Sequence, residues 1–206
     1  MVPPIPSLQR AVIQSSTPGV LEFTQTRAVP KLLDNQILVR VAAVALNPCD
    51  WKMPTNFPCP GAGVGADFSG TIVQLGNGLA PTQQGVKVGD RVAGTAHGCN
   101  RLEPQGGAFA EYIAVCADQI WRVPPGMSFA EAAGIGFCVV GTVGLATLSE
   151  RHLGLSGSPE KPLCQGPGET PPWVLVYGGS TASGTIAIQM LKQYDLHVRE
   201  REEYAH

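Results

Sequence analysis

Short apolar and β-branched runs, separated by Gly, Pro and Asn, follow one another through residues 10–123. Two clear runs lie at residues 36–41 (QILVRV) and 71–73 (TIV), and a turn leads into a strand pattern at 87–92 and again at 106–113. This spacing is typical of a β-rich domain. Short strands leave exposed edges unless the sheet closes, so the pattern predicts a small β-barrel.

The pattern becomes helical after residue 125. Ser128 can cap a helix, with Glu131 three residues later as its capping-box partner. The uncharged residues 132–148 include four glycines and are fewer than the roughly 20 apolar residues that cross a bilayer, which predicts a buried helix. Residues 154–172 contain five prolines and four glycines, which predicts an irregular surface loop.

The last part of the chain has the pattern of a nucleotide-binding βα unit. Residues 173–177 (WVLVY) form a buried-strand run, residues 178–184 are a turn of small residues, and residues 185–193 have helical periodicity. One more short strand could follow. We therefore divide the chain into a β domain (1–125), a connecting helix and loop (126–172) and the start of a nucleotide-binding domain (173–206).

Composition narrows the class of protein. The chain is 44% hydrophobic and 15% charged with a net charge of -2, and no basic stretch suits a nucleic-acid backbone. The first residues lack the charged and apolar regions of a secretory signal, so we expect a cytoplasmic protein without membrane partners. The six cysteines have neither paired nor regular spacing, which favours free thiols in a reducing compartment.

The glycine-rich turn is the first candidate for chemistry. Such a turn between a strand and a helix lets backbone N–H groups approach a pyrophosphate, which the positive end of the helix also attracts. Ser180, Thr181 and Ser183 add hydroxyl groups. The turn departs from the usual G-x-G-x-x-G, and a tight turn needs glycine for steric reasons as well, so the motif alone leaves cofactor binding and simple packing equally open.

Other polar residues have ordinary structural interpretations. Asp67 lies beside glycines, as turn acids do, and Lys52 is expected to be a solvated lysine. Cys49 has no histidine close in the sequence and is expected to be an inert thiol. His97 and Cys99 are too few to hold a metal ion.

Several segments, in order, resemble the medium-chain dehydrogenase/reductase superfamily. Residues 46–52 (LNPCDWK) look like the NPxD segment of quinone reductases, and residues 65–73 (GADFSGTIV) look like their G-x-D-x-x-G-x-V segment. Residues 87–92, 107–112 and 174–192 follow in the expected places. The resemblance implies a GroES-like β-barrel domain followed by the first βα unit of an incomplete Rossmann-type domain.

The same resemblance implies that no metal is bound. In the zinc-bearing alcohol dehydrogenases of the superfamily, a cysteine stands where this chain has Asn47 and a histidine where it has Ala66. Neither Asn nor Ala supplies the thiolate or imidazole that zinc prefers. We therefore expect a zinc-free reductase.

Within the zinc-free branch, the chain looks like the fungal trans-acting enoyl reductases, which serve polyketide synthases. The resemblance implies NADPH hydride transfer to the β-carbon of an α,β-unsaturated acyl thioester presented by a carrier domain, with the catalytic proton donor unknown. It implies cofactor contacts at Cys49, Asp50, Trp51, Lys52, Ser180, Thr181, Ala182 and Ser183. It also implies substrate contacts at Thr142, Val143, Gly144, Leu145, Ala146, Thr147, Leu148 and Ser149.

Two other functions stay open at this point. The same scaffold could reduce quinones or alkenals with NADPH, or the chain could be a shortened, non-catalytic binding module. Family members are longer, so we expect a monomer or weakly self-associating chain that binds NADPH more weakly than a full-length relative. Arg199 and Arg201 lie near the position that reads the ribose 2′ group, but the choice of NADPH over NADH follows from the resemblance alone.

Overall fold

The computed structural model describes residues 4–79, 85–136, 143–155, 173–193 and 197–201. The chain divides into two compact units, residues 1–137 and residues 138–206. The boundary falls inside the helical stretch predicted after residue 125, so only the start of that stretch belongs to the first unit. Among the described residues, no helix is both long and apolar enough to cross a membrane.

The described residues of the first unit include two antiparallel sheets and the helices α1 and α2. A two-stranded sheet pairs β1 (Leu8–Gln14) with β2 (Leu21–Ala28). The second sheet has five strands: β3 (Gln36–Ala45), β4 (Asp67–Leu75), β5 (Arg91–Thr95), β6 (Tyr112–Cys116) and β7 (Ile120–Arg122). Their spatial order is β6-β3-β4-β5-β7. The helices are α1 (Pro48–Asn56) and α2 (Phe129–Ala133).

The core of this unit forms where the apolar positions of the strands meet. Ile37 and Val39 of β3 are fully buried beside Phe68 and Ile72 of β4, and Val92 of β5 completes the cluster. Alternate side chains of a strand point to the same face, so the apolar residues two positions apart reach one core. The strand runs predicted from the sequence are confirmed.

The sheets of the described residues are open, unlike the closed ring of strands expected from the sequence. The small sheet is joined to the rest through the chain that enters β6, where Val12 N–H donates to Phe109 O (2.8 Å) and Glu111 N–H donates to Arg10 O (3.2 Å). Isolated bridges pair Ala11 with Ala110 and Ile13 with Gly63. Loop backbone thus satisfies much of the strand edge that a closed barrel would pair with another strand.

The predicted capping box at Ser128 is confirmed. Ser128 Oγ accepts the Glu131 N–H (3.2 Å), and Glu131 Oε2 accepts the Ser128 N–H (2.8 Å). The single buried helix expected over residues 132–148 is interrupted in its described part, because α2 ends at Ala133 and a turn follows at residues 134–135, whereas residues 136 and 143–148 are again helical. The chain then passes close to β5, where a Cβ on Gly136 would lie 2.5 Å from Gly94 O.

Replacing Ser128 with alanine should lower the midpoint of thermal unfolding by about 4 °C, because the first turn of α2 loses its side-chain cap. Ser128→Thr keeps the hydroxyl and should unfold near the wild-type temperature. Circular dichroism during heating measures both variants. Equal midpoints for the alanine and threonine variants would contradict a stabilising role for this cap.

The second unit contains α3 (Leu145–Leu148), β8 (Trp173–Tyr177), α4 (Ala182–Gln193) and β9 (His197–Arg201). The predicted strand and helix are confirmed, although α4 begins three residues before the periodic segment. Strand β9 pairs with β8 in parallel, so the further short strand expected from the sequence is present. Most of the loop predicted over 154–172 lies outside the described residues.

One face of β8 packs on α4, and the other is exposed. Val176 is buried with Ile188 and Leu191 of α4. On the opposite face, Trp173, Leu175 and Tyr177 are each more than 60% exposed. A strand with apolar residues on both faces is expected in a sheet covered on both sides.

Candidate functional site

Asn47, which precedes α1, binds two buried carboxylates, one from α1 and one from β4. The backbone N–H of Asn47 donates to Asp50 Oδ2 (2.7 Å), and its side-chain Nδ2 donates to Asp67 Oδ2 (2.9 Å). Asp50 is 8% exposed and Asp67 is 2% exposed. The interpretation of Asp67 as a turn residue is wrong, since it is the buried first residue of β4.

Burial controls the protonation of this cluster. It raises the pKa of Asp50, although the backbone N–H groups of Asn47 and Ala66 oppose it by stabilising the carboxylate. The Cys49 thiol donates to Asp50 Oδ1 (3.9 Å). Burial, followed by the charge of Asp50, raises the pKa of Cys49. Cys49 therefore stays a protonated thiol near neutral pH, as expected for a cysteine that is not activated.

A mostly apolar cavity of about 300 Å³ adjoins this cluster. Its volume lies at the small end of the range for ligand pockets, and a few polar groups set among apolar walls are typical of such sites. The lining comes from α1, from the chain before β4 and from the chain around the end of β5. It comprises Cys49, Asp50, Met53, Gly65, Ala66, Thr95, Ala96, His97, Gly98, Cys99 and Gln119.

Residues 49–52, which are expected to contact the cofactor, lie on two faces of α1. Cys49 and Asp50 line the cavity, whereas Trp51 and Lys52 are exposed. The Lys52 ammonium lies 5.4 Å from the centre of the Trp51 ring, in cation–π range. Lys52 thus contacts an exposed aromatic ring and is itself exposed, as expected for a solvated lysine.

The glycine-rich turn after β8 brings the start of α4 close to the end of the strand. Gly178 has φ +79°, a conformation that favours glycine, and a Cβ on Gly184 would lie 2.2 Å from Gly178 O. Helix α4 therefore starts as close to the end of β8 as glycine allows. Its N-terminal N–H groups, with their partial positive charge, face the space after the strand.

The predicted hydroxyl groups of this turn differ in what they bind. The Thr181 hydroxyl donates to Gly178 O (2.8 Å) and accepts the Gly184 N–H (3.0 Å), so it caps α4. Ser180 and Ala182 are exposed, and Ser183 is half-buried. The Ser180 hydroxyl is therefore the more accessible donor, and Thr181 shapes the turn.

The predicted substrate residues lie on and around α3. Thr142 is outside the described residues. Val143 is 1% exposed and Thr147 is 4% exposed, and the Thr147 hydroxyl donates to Val143 O. Ala146 is exposed, Gly144 and Ser149 are half-buried, and Leu145 and Leu148 are the end residues of α3.

Two residues near the cavity escaped the sequence-based interpretation. The sequence marks Asn47 only as the replacement for a metal ligand, yet its side-chain amide donates to Asp67 and its backbone N–H donates to Asp50. Asp67 begins a run of strand-forming residues, and a carboxylate inside such a run signals a buried partner.

Comparison with known proteins identifies the family. Residues 33–125 match the alcohol dehydrogenase GroES-like domain. The chain is 71% identical over 188 residues to the trans-enoyl reductase mycC of Thermothelomyces thermophilus, covering 91% of this chain and 51% of the relative. The chain belongs to the medium-chain dehydrogenase/reductase superfamily. It is also 48% identical over 192 residues to the trans-enoyl reductase xenG of Xenoacremonium sinensis, covering 93% and 50%.

Solved structures of the superfamily share the fold. The quinone oxidoreductase of Coxiella burnetii superposes with a TM-score of 0.63 at 27% identity, covering 94% of this chain and 56% of that chain. The predicted GroES-like domain followed by the start of a Rossmann-type domain is confirmed. The chain spans about half the length of the curated relatives it matches.

The positions that correspond to zinc ligands form a different arrangement in this member of the superfamily. Asn47 donates to the Asp67 carboxylate, and the neighbouring Ala66 offers no ligand atom from its side chain. No group of three His, Cys, Asp or Glu residues within the described part of the chain is placed to hold a metal ion. An amide–carboxylate hydrogen bond stands where the resemblance puts the metal ligands.

We expect the purified protein to contain far less than one zinc per chain, because Asn and Ala replace two ligands of a tetrahedral site. Inductively coupled plasma mass spectrometry after dialysis with zinc and desalting measures the ratio. One zinc retained per chain would refute the argument from ligand types.

Proposed function

We propose that this chain is part of a trans-acting enoyl reductase. It would transfer a hydride from NADPH to the β-carbon of an α,β-unsaturated acyl thioester that a polyketide synthase carries, in the cytoplasm. The observation that carries the proposal is the 71% identity to a trans-enoyl reductase over 91% of the chain. The cavity beside α1 and the turn before α4 supply sites of suitable chemistry.

The residues of the glycine-rich turn fit a dinucleotide phosphate. A side chain at Gly184 would fill the space next to Gly178 O, so the glycines keep the start of α4 open to a close backbone approach. Backbone N–H groups at residues 180–183 and the Ser180 hydroxyl would hold the pyrophosphate. When bound, NADPH supplies the hydride, and the chain's own residues bind and orient the reactants.

The register of β9 supports NADPH over NADH. Arg201 is the last residue of β9 and pairs with Tyr177, the last residue of β8 before the glycine turn. The end of the second strand is where Rossmann-type domains read the ribose 2′ group, and an arginine there suits a 2′-phosphate. Arg201→Glu should therefore weaken binding of NADPH more than binding of NADH.

The cavity next to Cys49 and Asp50 suits the reacting end of an acyl chain. Met53, Ala66 and Ala96 give it apolar walls, and about 300 Å³ holds a short unsaturated segment but not a whole polyketide. Such walls exclude water from the reacting carbons, which prevents side reactions. Trp51 and Lys52 lie outside this cavity and are free to contact the cofactor at the surface.

Quinone or alkenal reduction is the second candidate. It is favoured by the likeness to the quinone oxidoreductase of Coxiella burnetii, which shares the fold at 27% identity. A substrate panel distinguishes the two candidates. The purified chain is mixed with NADPH and either the N-acetylcysteamine thioester of a short trans-enoic acid or a benzoquinone, and NADPH oxidation is followed by absorbance.

We expect faster NADPH oxidation with the enoyl thioester than with the quinone. Faster turnover of the quinone would favour the second candidate. If neither substrate is reduced but isothermal titration detects NADPH binding, the chain acts as a binding module and the proposed activity is wrong for it.

A further inference from the structure

The cavity beside α1 adjoins a second hollow of the first unit, which we call the middle groove. The middle groove has a volume of about 320 Å³ and shares Ala96, His97 and Gln119 with the cavity. Ala96 has a short side chain, and His97 and Gln119 are exposed. Exposed side chains change rotamer within nanoseconds, so a ligand can extend from the cavity into the middle groove without disturbing the core.

The middle groove adjoins an outer groove of about 270 Å³. Gln36, Leu102 and Ala114 are among the residues that line both grooves. Leu102 is 91% exposed, and Leu33, which lines the outer groove, is 60% exposed. Two exposed leucines beside one groove indicate a surface that an apolar ligand covers.

Gln36 gives both grooves a polar group of fixed orientation. It is 8% exposed, and its Oε1 accepts the Leu33 N–H (3.0 Å). Its Nε2 has no hydrogen-bond partner within the described part of the chain. Because Gln36 lines both grooves, this NH₂ group is available to a ligand, and a keto or hydroxyl oxygen is a matching acceptor.

The charge of the middle groove disfavours an anionic occupant. The Glu103 carboxylate belongs to its lining, and no lysine or arginine of the described residues does. A phosphate or carboxylate placed there would meet a like charge without a compensating cation. The groove therefore suits a neutral, mostly apolar chain that carries an occasional oxygen atom.

We propose that the middle and outer grooves bind the distal part of an acyl chain whose reacting end lies in the cavity, and that Gln36 donates to an oxygen on that chain. The inference rests on the proposed function, because a cavity of about 300 Å³ holds only a short segment of such a substrate. The acyl chain passes His97 and Gln119 and reaches the outer groove beside Leu33. The substrates are thus long acyl groups that carry an oxygen, and not short enoyl units.

Chain length is the first test. Saturated N-acetylcysteamine thioesters with butanoyl and dodecanoyl chains bind without turnover, and isothermal titration of the full chain measures both affinities. Each methylene removed from water contributes about fourfold in affinity. We expect the dodecanoyl thioester to bind at least about 100-fold more tightly. Equal affinities, or no binding of the dodecanoyl thioester, would overturn the proposal.

A bulky side chain in the grooves should remove this dependence on length. Ala114 is half-buried on β6, and Ala114→Phe should weaken binding of the dodecanoyl thioester at least about tenfold while leaving the butanoyl thioester unchanged. Ala28→Phe is the matched control, because Ala28 is exposed on β2 and lines neither the cavity nor the two grooves. Full length dependence in a folded Ala114→Phe variant would contradict the assigned path.

The role of Gln36 has a separate test that uses the wild-type chain. In a series of dodecanoyl thioesters with one keto group at successive carbons, one position should bind about fivefold more tightly than the unsubstituted thioester. Gln36→Glu keeps an acceptor for the Leu33 N–H, removes the donor and should abolish this gain. A gain at no position, or one that Gln36→Glu retains, would refute the role of Gln36. This series also decides if Ala114→Phe does not fold.

A second copy of the chain is the competing occupant. Sedimentation velocity without ligand should give the same oligomeric state for the wild type and for Ala114→Phe. A dimer that Ala114→Phe dissociates would overturn the proposal, since the grooves would then be an interface. None of these measurements needs hydride transfer, so their failure leaves the proposed activity to the substrate panel, and failure of that panel leaves the binding results valid.

Discussion

Alanine at position 184 should abolish measurable binding of NADPH and destabilise the second unit. The added Cβ would lie 2.2 Å from Gly178 O and 3.0 Å from Gly179 Cα, and both neighbours are backbone. Backbone cannot move aside as a flexible side chain does, so α4 must shift away from the end of β8. The shift withdraws the helix N-terminus from the phosphate position.

We expect the affinity for NADPH to fall at least about 100-fold and unfolding to become easier by about 2 kcal/mol. Isothermal titration and denaturant unfolding measure these two effects. Gly134→Ala is the matched control, because its Cβ would have no neighbour nearer than 3.6 Å and its backbone is already helical. Wild-type affinity in Gly184→Ala would show that this turn does not bind the cofactor.

Replacing Asn47 with leucine should lower the free energy of unfolding by about 3 kcal/mol, the upper part of the range for a hydrogen bond to a charged group. The substitution removes the amide donor from the Asp67 carboxylate, which is 2% exposed. A buried charge that loses a donor keeps its desolvation cost. Asn47→Asp should be more harmful, since it places a third carboxylate beside Asp50 and Asp67.

Urea denaturation measures the effect, with Asn56→Leu as the control. Asn56 ends the same helix at an exposed position, and its loss should change stability by less than about 0.5 kcal/mol. In the double variant Asn47→Leu, Asp67→Leu the carboxylate is gone together with its donor, so part of the stability should return. Additive effects of the two substitutions would contradict a direct interaction.

Local sequence patterns were enough to predict strand β8 and the capping box at Ser128. Strand β8 coincides with the predicted residues 173–177, because five consecutive apolar and aromatic residues suit a buried strand. The capping box at Ser128 formed as predicted, since its partners are only three residues apart. The order of motifs also identified the superfamily, because turns and strand ends depend on short segments of chain.

The sequence did not reveal that the helix after Ser128 is interrupted. Apolar composition continues past Ala133, but a turn at residues 134–135 breaks the helix where the chain runs against β5. A close approach between segments far apart in sequence overrides local helix preference. The open sheets have a similar cause. The backbone of loops supplies hydrogen-bond partners to strand edges, whereas the pattern of strands alone predicts that a closed barrel pairs those edges.

The chemistry of the cavity was decided by the tertiary structure. Asp67 looked like a turn residue until the fold placed it 2.9 Å from an amide 20 positions earlier in the chain. Short-range patterns determine which residues form strands and helices. Burial and long-range contacts determine which polar groups lose water and must find hydrogen-bond partners. Those polar groups set the chemistry of this site.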